Sequence, residues 1–161
     1  MQIRAASTAD WPVLWPIVKG VVDAGDTYVW RPTPSSDDMQ RLWLEPAPWH
    51  VVVAELDSEI VGTAKVGPNR PGRGAHVATA SFMVSPHHQG RGVGRALGEH
   101  IVGWATDAGY RGMQFNAVVA TNAGAISLWQ SLGFEVIGTV PQGFDHQHQG
   151  LVDLHVMYRA L

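Results

Sequence analysis

The sequence predicts a mixed α/β (α+β) fold of about seven strands and about four helices, in one domain spanning residues 1–161. Two observations carry this. Between Ser81 and Leu97 the hydrophobic period switches across a glycine-rich turn. Phe82, Met83 and Val84 are strand formers and Pro86 ends the strand; Val93, Leu97, Ile101, Trp104 and Ala108 then recur at spacings of three and four, one face of a helix. Around this switch the elements read strand, two helices, three strands, helix, strand, helix, two strands. Strands separated by crossover helices require a mixed sheet.

Taken in order, Gln2 to Ala6 reads as a first strand and Thr8 as the N-cap of a helix that tolerates Pro12 in its first turn. Leu14, Ile17, Val18, Val21 and Val22 form its buried stripe; Pro16 is expected to kink or delay it, and Gly25 to stop it. Asp26 to Pro34 is irregular and aromatic. Ser35 and Ser36 cap a second helix carrying Met39, Leu42 and Trp43, with Asp37 and Asp38 suiting its positive end. His50 to Leu56 and Glu59 to Val66 make a hairpin about Asp57-Ser58, followed by a loop from Pro68 to Gly74. Val77 to Val84 feeds the glycine turn, and the helix beyond it stops at Gly109. Met113 to Ala120 is a strand. Asn122 opens a short helix that Gly133 ends. Val136 to Val140 and Leu151 to Tyr158 complete the sheet, separated by a His-rich loop from Phe144 to Gly150. Trp11, Trp15, Trp43, Trp104 and Trp129 sit on helices and are expected in the core.

The turn Gln89-Gly-Arg-Gly-Val-Gly-Arg95 has a chemical reading. Gly90, Gly92 and Gly94 carry no Cβ, so a ligand can approach the backbone and φ can be positive. The amides opening the next helix have no intrahelical partners, and the helix dipole favours an anion there. Arg91 and Arg95 add positive charge. The site suits phosphate or pyrophosphate. A dinucleotide fingerprint is excluded by Arg95 and Leu97 at its third small position, and a Walker loop by the absence of any Gly-Lys pair.

Gln89, Gly92 and Gly94 instead match the Gln/Arg-x-x-Gly-x-Gly/Ala signature, and the chain here resembles the GNAT superfamily of N-acetyltransferases. A second block strengthens the resemblance. Asn122, Ala125, Ile126, Leu128, Gly133 and Phe134 match the family pattern Asn-x-x-Ala-hydrophobic-x-hydrophobic-Tyr-x-x-x-Gly-Phe. The resemblance implies a mostly antiparallel mixed sheet flanked by helices. It also implies acetyl-CoA as co-substrate, held by Met83, Val84, Gln89, Gly90, Arg91, Gly92, Val93, Gly94, Arg95, Asn122 and Trp129. Val84 would give its backbone N–H to the thioester carbonyl, with Asn122 also at the catalytic centre. An amine would attack the thioester directly in a ternary complex.

Two positions depart from the pattern. Trp129 stands where many members have a tyrosine that protonates the CoA thiolate, and an indole is a donor but no acid. The strand Val77–Val84 carries no glutamate base, leaving Asp26, His76 and Glu55 as candidates. Gly25 to Tyr28, Pro68-Asn69, Met113 to Val119 and Val152 to Arg159 look like a subgroup that acetylates proline analogues such as azetidine-2-carboxylate. In that subgroup asparagines at the positions of Asn116 and Asn122 are associated with the substrate side, and Thr79 stands where it has a further asparagine. Tyr28 and Trp30 could line the acceptor cleft. Other acceptors (an antibiotic, a herbicide-like amino acid, a protein N-terminus) remain open, as does a catalytically silent acyl-CoA-binding module.

Composition bounds the rest. A net charge of −3 argues against nucleic acid, and the absence of cysteine removes disulfides and thiolate chemistry. His87-His88 and His146-Gln-His148 lack the partners of a metal site and read as solvated loop residues, so no metal is expected. No stretch reaches the ~18 apolar residues of a membrane span, and Met1 to Ala6 lacks a signal peptide's apolar run, so a cytoplasmic location is expected. The expected partner is a small-molecule amine, with no membrane or nucleic acid and a homodimer left open.

Overall fold

A computed structural model describes residues 1–30 and 35–161. Seven strands form one sheet: β1 Gln2–Ala5, β2 His50–Leu56, β3 Glu59–Pro68, β4 Val77–Val84, β5 Gly112–Val119, β6 Glu135–His146 and β7 Gly150–Ala160. Four helices flank it: α1 Trp11–Asp23, α2 Ser36–Trp43, α3 Val93–Asp107 and α4 Ala123–Ser131. The strand order is β1-β2-β3-β4-β5-β7-β6. Every pairing is antiparallel except β4 with β5. The expected fold class and element order are both observed.

Side-chain alternation divides the core. Val52 and Ala54 of β2 pack with Leu97 and Ile101 of α3 and Trp129 of α4. Their neighbours Val51 and Val53 turn to the other face, against Leu14, Val18, Met39 and Trp43 of α1 and α2. Asp57 and Ser58 both take positive φ, 52° and 67°, as a primed two-residue hairpin turn requires. α1 runs unbroken through Pro16, and Gly25 follows it at φ 62°. Of the irregular stretch expected from Asp26, Arg31 to Pro34 lie outside the described residues.

Three expectations are corrected. Thr8 does not cap α1; it opens a short 3-10 turn. The carboxylate of Asp10 instead accepts hydrogen bonds from the Ser7 N–H at 2.7 Å and the Ser7 hydroxyl at 3.0 Å. Trp11, Trp43 and Trp129 are buried, but Trp15 and Trp104 are only partly so. Trp104 lies flat on the His50 ring, 4.5 Å away. The His-rich segment is not a free loop either. β6 continues through Phe144 and Asp145 to His146, paired with Val152, Leu151 and Gly150 of β7.

Asp10 belongs to a network that ties β1 to β2. Arg4 donates to Asp10 at 2.8 and 3.0 Å and to Glu55 at 2.8 Å. The guanidinium holds the Asp10 carboxyl well below the usual carboxylate range. A depressed carboxylate stabilises the fold above its unfolded pKa and loses that contribution as pH falls through its folded pKa. Arg4→Ala should therefore cost ~1–2 kcal/mol near neutrality, discounted for the exposure of Arg4. The gap should begin to close as pH drops below about 4 and keep narrowing as pH falls further. Urea melts of both proteins across pH 3–7 measure it.

Candidate active site

The sheet splits at its centre. β4 and β5 pair only at Val77↔Gly112 and Ala78↔Met113, whereas β3 follows β4 to Gly62↔Val84. The edge of β4 from residue 79 onward is thus open towards β5. On the far side β5 bulges: Phe115 pairs with Met157 and Val118 with His155, leaving Asn116 and Ala117 outside the ladder. A bulge bends a strand and re-aims its side chains, and here it widens the split. The resulting cleft has a volume of about 760 Å³. Its walls include Ala24, residues 26–30, 79–84, 115–119 and 121–122, with Ala125, Trp129, His146 and Gln149.

Backbone parity decides which groups of β4 face the cleft. Ser85 donates its N–H to Val61 of β3, whereas Phe82 turns the other way. The Tyr28 hydroxyl donates to the Phe82 carbonyl at 2.9 Å and accepts from the Phe82 N–H at 3.0 Å. An antiparallel ladder alternates, so Ala80, Phe82 and Val84 address the cleft while Met83 addresses β3. The Val84 N–H is on the expected edge. Met83 turns its N–H to β3, and its side chain is buried in the core beneath α1 and α2. Tyr28 is itself half-buried, stacked on Trp30 at 4.8 Å, and desolvation pushes its phenol upward, so it stays a neutral donor.

The glycine turn sits at the mouth of the split. Gly90 and Gly92 have φ of 73° and 81°, and Gly92 precedes α3. The first intrahelical bond runs from the Ala96 N–H to the Gly92 carbonyl, which leaves the N–H groups of Val93, Gly94 and Arg95 without helical partners. A Cβ placed on Gly90 or Gly92 would meet no atom within 4 Å, so the space outside the turn is open. Gly94 is needed for packing, since a Cβ there would lie 3.3 Å from Leu128 of α4. Gln89 and Arg91 are exposed at the turn. The Arg95 side chain is directed elsewhere: it donates to the Ser131 hydroxyl at 2.9 Å and approaches Glu99 at 3.6 Å.

On the opposite wall, Asn122 caps α4 by accepting the Ala125 N–H at 3.0 Å. Trp129 is 7% exposed and packs against Phe82, Phe115 and Phe134, with ring centroids 4.6, 4.8 and 6.3 Å away. Thr79 lines the cleft, half-buried. Asn116 is exposed on the bulge, and its amide is fixed on both sides. Gln114 donates to its oxygen at 2.8 Å, and it donates to Asn69 at 2.7 Å.

His146 is a functional candidate the sequence reading missed. It is 7% exposed and lines the cleft, where a solvated loop residue was expected. The i, i+2 spacing of Phe144 and His146, both buried, was the available signal of a strand face. Its Nδ1 accepts the His148 N–H at 3.1 Å, and its Nε2 lies 3.4 Å from the side-chain amide nitrogen of Gln149. Among the three expected base candidates only Asp26 lines the cleft. Glu55 is paired with Arg4, and the His76 ring contacts the Arg73 carbonyl on the surface. Among the described residues no three His, Asp or Glu side chains gather as a metal site.

The model of the "Acetyltransferase (GNAT) family" matches residues 15–134. The chain belongs to the GNAT acetyltransferase family. It is 35% identical over 114 residues to the N-acetyltransferase aca1 of Schizosaccharomyces pombe, covering 69% of this chain and about half (54%) of that relative's length. It is 31% identical over 146 residues to the L-amino acid N-acyltransferase MnaT of Escherichia coli, covering 88% of this chain and 84% of MnaT. Among solved structures, a GCN5-related N-acetyltransferase from Kribbella flavida superposes with a TM-score of 0.95 at 49% identity, over 99% of this chain and 97% of that one. A phosphinothricin acetyltransferase from Sinorhizobium meliloti, in complex with acetyl-CoA, superposes with a TM-score of 0.89 at 25% identity, over 99% and 88%. No helix among the described residues of this GNAT protein is long and apolar enough to cross a membrane.

Proposed function

We propose that this GNAT protein transfers the acetyl group of acetyl-CoA to the amine of a small amino or imino acid, in a ternary complex within the cleft. The observation that carries this reading is the split between β4 and β5. It leaves the backbone N–H of Val84 facing the cleft, beside an open anion site at the start of α3. The cofactor's pyrophosphate would lie on the N–H groups of Val93, Gly94 and Arg95. Gln89, Gly90, Arg91 and Gly92 would form the rest of that cradle. The pantetheine arm would then run between Val84 and the wall made by Asn122 and Trp129. As the amine attacks, negative charge develops on the thioester oxygen, and the Val84 N–H would stabilise it there.

The acceptor end favours a small polar amine. Asp26 is the sole carboxylate and His146 the sole imidazole on the described cleft wall, and no lysine or arginine lines it. Asp26 would take the proton of the incoming ammonium, directly or through water. A substrate carboxylate would be held by uncharged donors, the amides of Asn116 and Asn122, with Thr79, Tyr28 and the His146 ring alongside. MnaT, the named L-amino acid N-acyltransferase, is similar over 88% of this chain, which supports an amino-acid acceptor. Release of the CoA thiolate needs no tyrosine at 129, because a thiolate leaves without full protonation and water reaches the cleft.

Asn116→Ala should lower kcat/KM for the acceptor by about five- to 150-fold, the effect of losing one hydrogen bond of ~1–3 kcal/mol to a charged group, with CoA affinity unchanged. Asn122→Ala should act similarly and also weaken α4, whose cap it is. Steady-state kinetics with each substrate varied in turn decide this. Wild-type acceptor kinetics in both variants would remove the amino-acid reading.

A further inference from the structure

We infer that Gln147 is a latch across the acceptor end of the cleft and sets the size of amine that enters, a role that rests on the acetyltransferase reading above. Gln147 lies at the tip of the turn between β6 and β7. Its neighbours His146 and Gln149 line the cleft, and Ala24, Asp26 and Thr27 line the facing wall. The two walls belong to segments more than one hundred residues apart in the chain, and Gln147 joins them through three hydrogen bonds. Its N–H donates to the Gly25 carbonyl at 3.1 Å. Its side-chain amide, with Nε2 turned towards α1, donates to the carbonyls of Asp23 at 3.2 Å and Ala24 at 3.0 Å.

Asp23 is the last residue of α1 and Ala24 its C-cap residue, so these bonds reach the final turn of the helix. Gln147 therefore caps α1 from across the cleft. Gly25 is shaped for the contact: it takes φ 62°, and a Cβ there would come within 2.5 Å of the Gln147 amide. Two residues further on, inside the latch, the buried Thr27 hydroxyl has no hydrogen-bond partner among the described residues. With the latch closed, the walls carrying Asp26 and His146 are held at one separation. With it broken, the hairpin tip and the segment after α1 can part, so bulky amines gain entry while small ones lose their fixed surroundings.

The test uses the full chain and two substitutions with opposite electrostatics. Gln147→Glu keeps the size but sets a carboxylate against carbonyl oxygens at the negative end of α1. Gln147→Lys restores a donor suited to that end. Kinetics with acetyl-CoA against glycine, methionine and a bulky aromatic amine are read together with backbone hydrogen exchange over residues 144–150. Gln147→Glu should exchange faster over that segment and raise KM for the small acceptors by about tenfold, the loss of two hydrogen bonds. It should shift kcat/KM towards the bulky amine and leave KM for acetyl-CoA unchanged. Gln147→Lys should return the exchange rate, the small-acceptor KM and the preference for the bulky amine towards wild type, and Gly25→Ala should reproduce the Glu pattern from the other wall. Unchanged exchange in Gln147→Glu overturns the latch. Faster exchange with an unchanged acceptor profile overturns its control of acceptor size. A wild-type protein that acetylates no amine while binding acetyl-CoA overturns the functional reading and the size limit together.

Discussion

Gly92→Asp is expected to abolish acetyl-CoA binding in a protein that still folds. The fold has room for the side chain, because a Cβ at this position meets no atom within 4 Å. The positive φ of 81° costs ~1–2 kcal/mol for a non-glycine residue, a fraction of the ~5–15 kcal/mol that keeps a domain folded. The carboxylate would project where the Val93, Gly94 and Arg95 amides gather, and would itself satisfy those donors. A pyrophosphate then meets both an occupied site and a like charge. At about 4 Å one such pair costs ~4 kcal/mol near a protein surface, well beyond a hundredfold in affinity. Gly94→Asp should act by the same charge and by crowding Leu128, with a larger cost in stability. Calorimetric titration with CoA, beside a thermal melt, measures both quantities. An unchanged affinity in a folded Gly92→Asp protein would remove the turn from the cofactor site.

Trp129→Ala should cost ~3–5 kcal/mol, the range for truncating a buried aromatic side chain. The indole bridges Phe82 on β4, Phe115 on β5 and Phe134 beyond α4, and it lies over Gly98 of α3, where a Cβ would come within 3.1 Å of the ring. For a chain of this length the loss corresponds to a fall of about 6–20 °C in Tm. Trp129→Phe keeps most of these contacts and removes only the N–H. It should therefore keep much of the rate as well as much of the stability. If Trp129→Phe were stable, bound CoA normally and turned over far more slowly, the indole N–H would have a part in the chemistry.

The parts of this architecture that were legible in the sequence are those written in short contiguous stretches. The strand, glycine turn and helix from Val77 to Asp107 could be read because periodicity, strand stop and positive-φ glycines all lie within about thirty residues. The Asp57-Ser58 hairpin and the Asn122 cap are local in the same sense. What could not be read depends on partners distant in sequence. Tyr28 was expected at the acceptor cleft, but its double hydrogen bond to Phe82, 54 residues on, is a tertiary contact no pattern announces. The hydrogen bond of Arg95 to Ser131, 36 residues on in the chain, depends on the packing of α3 on α4. The difference between Met83 and Val84 is set by the parity of the β3–β4 ladder, which needs the register. β6 was cut short because it is an edge strand whose residues are exposed on both faces up to Gly143, so it lacks the alternation that marks a half-buried strand. His146 was lost with it.

The account's central claim is that the cleft is catalytic towards a small amine and does more than bind an acyl-CoA. The most direct measurement is release of free CoA thiol from acetyl-CoA, followed while a panel of amino acids, imino acids including proline analogues, bulky amines and peptide N-termini is offered, with the products identified by mass. The account predicts stoichiometric thiol release and acetylated product with at least one small amino or imino acid, and less with the bulky amines. A protein that binds CoA tightly and releases no thiol with any member of the panel would contradict it.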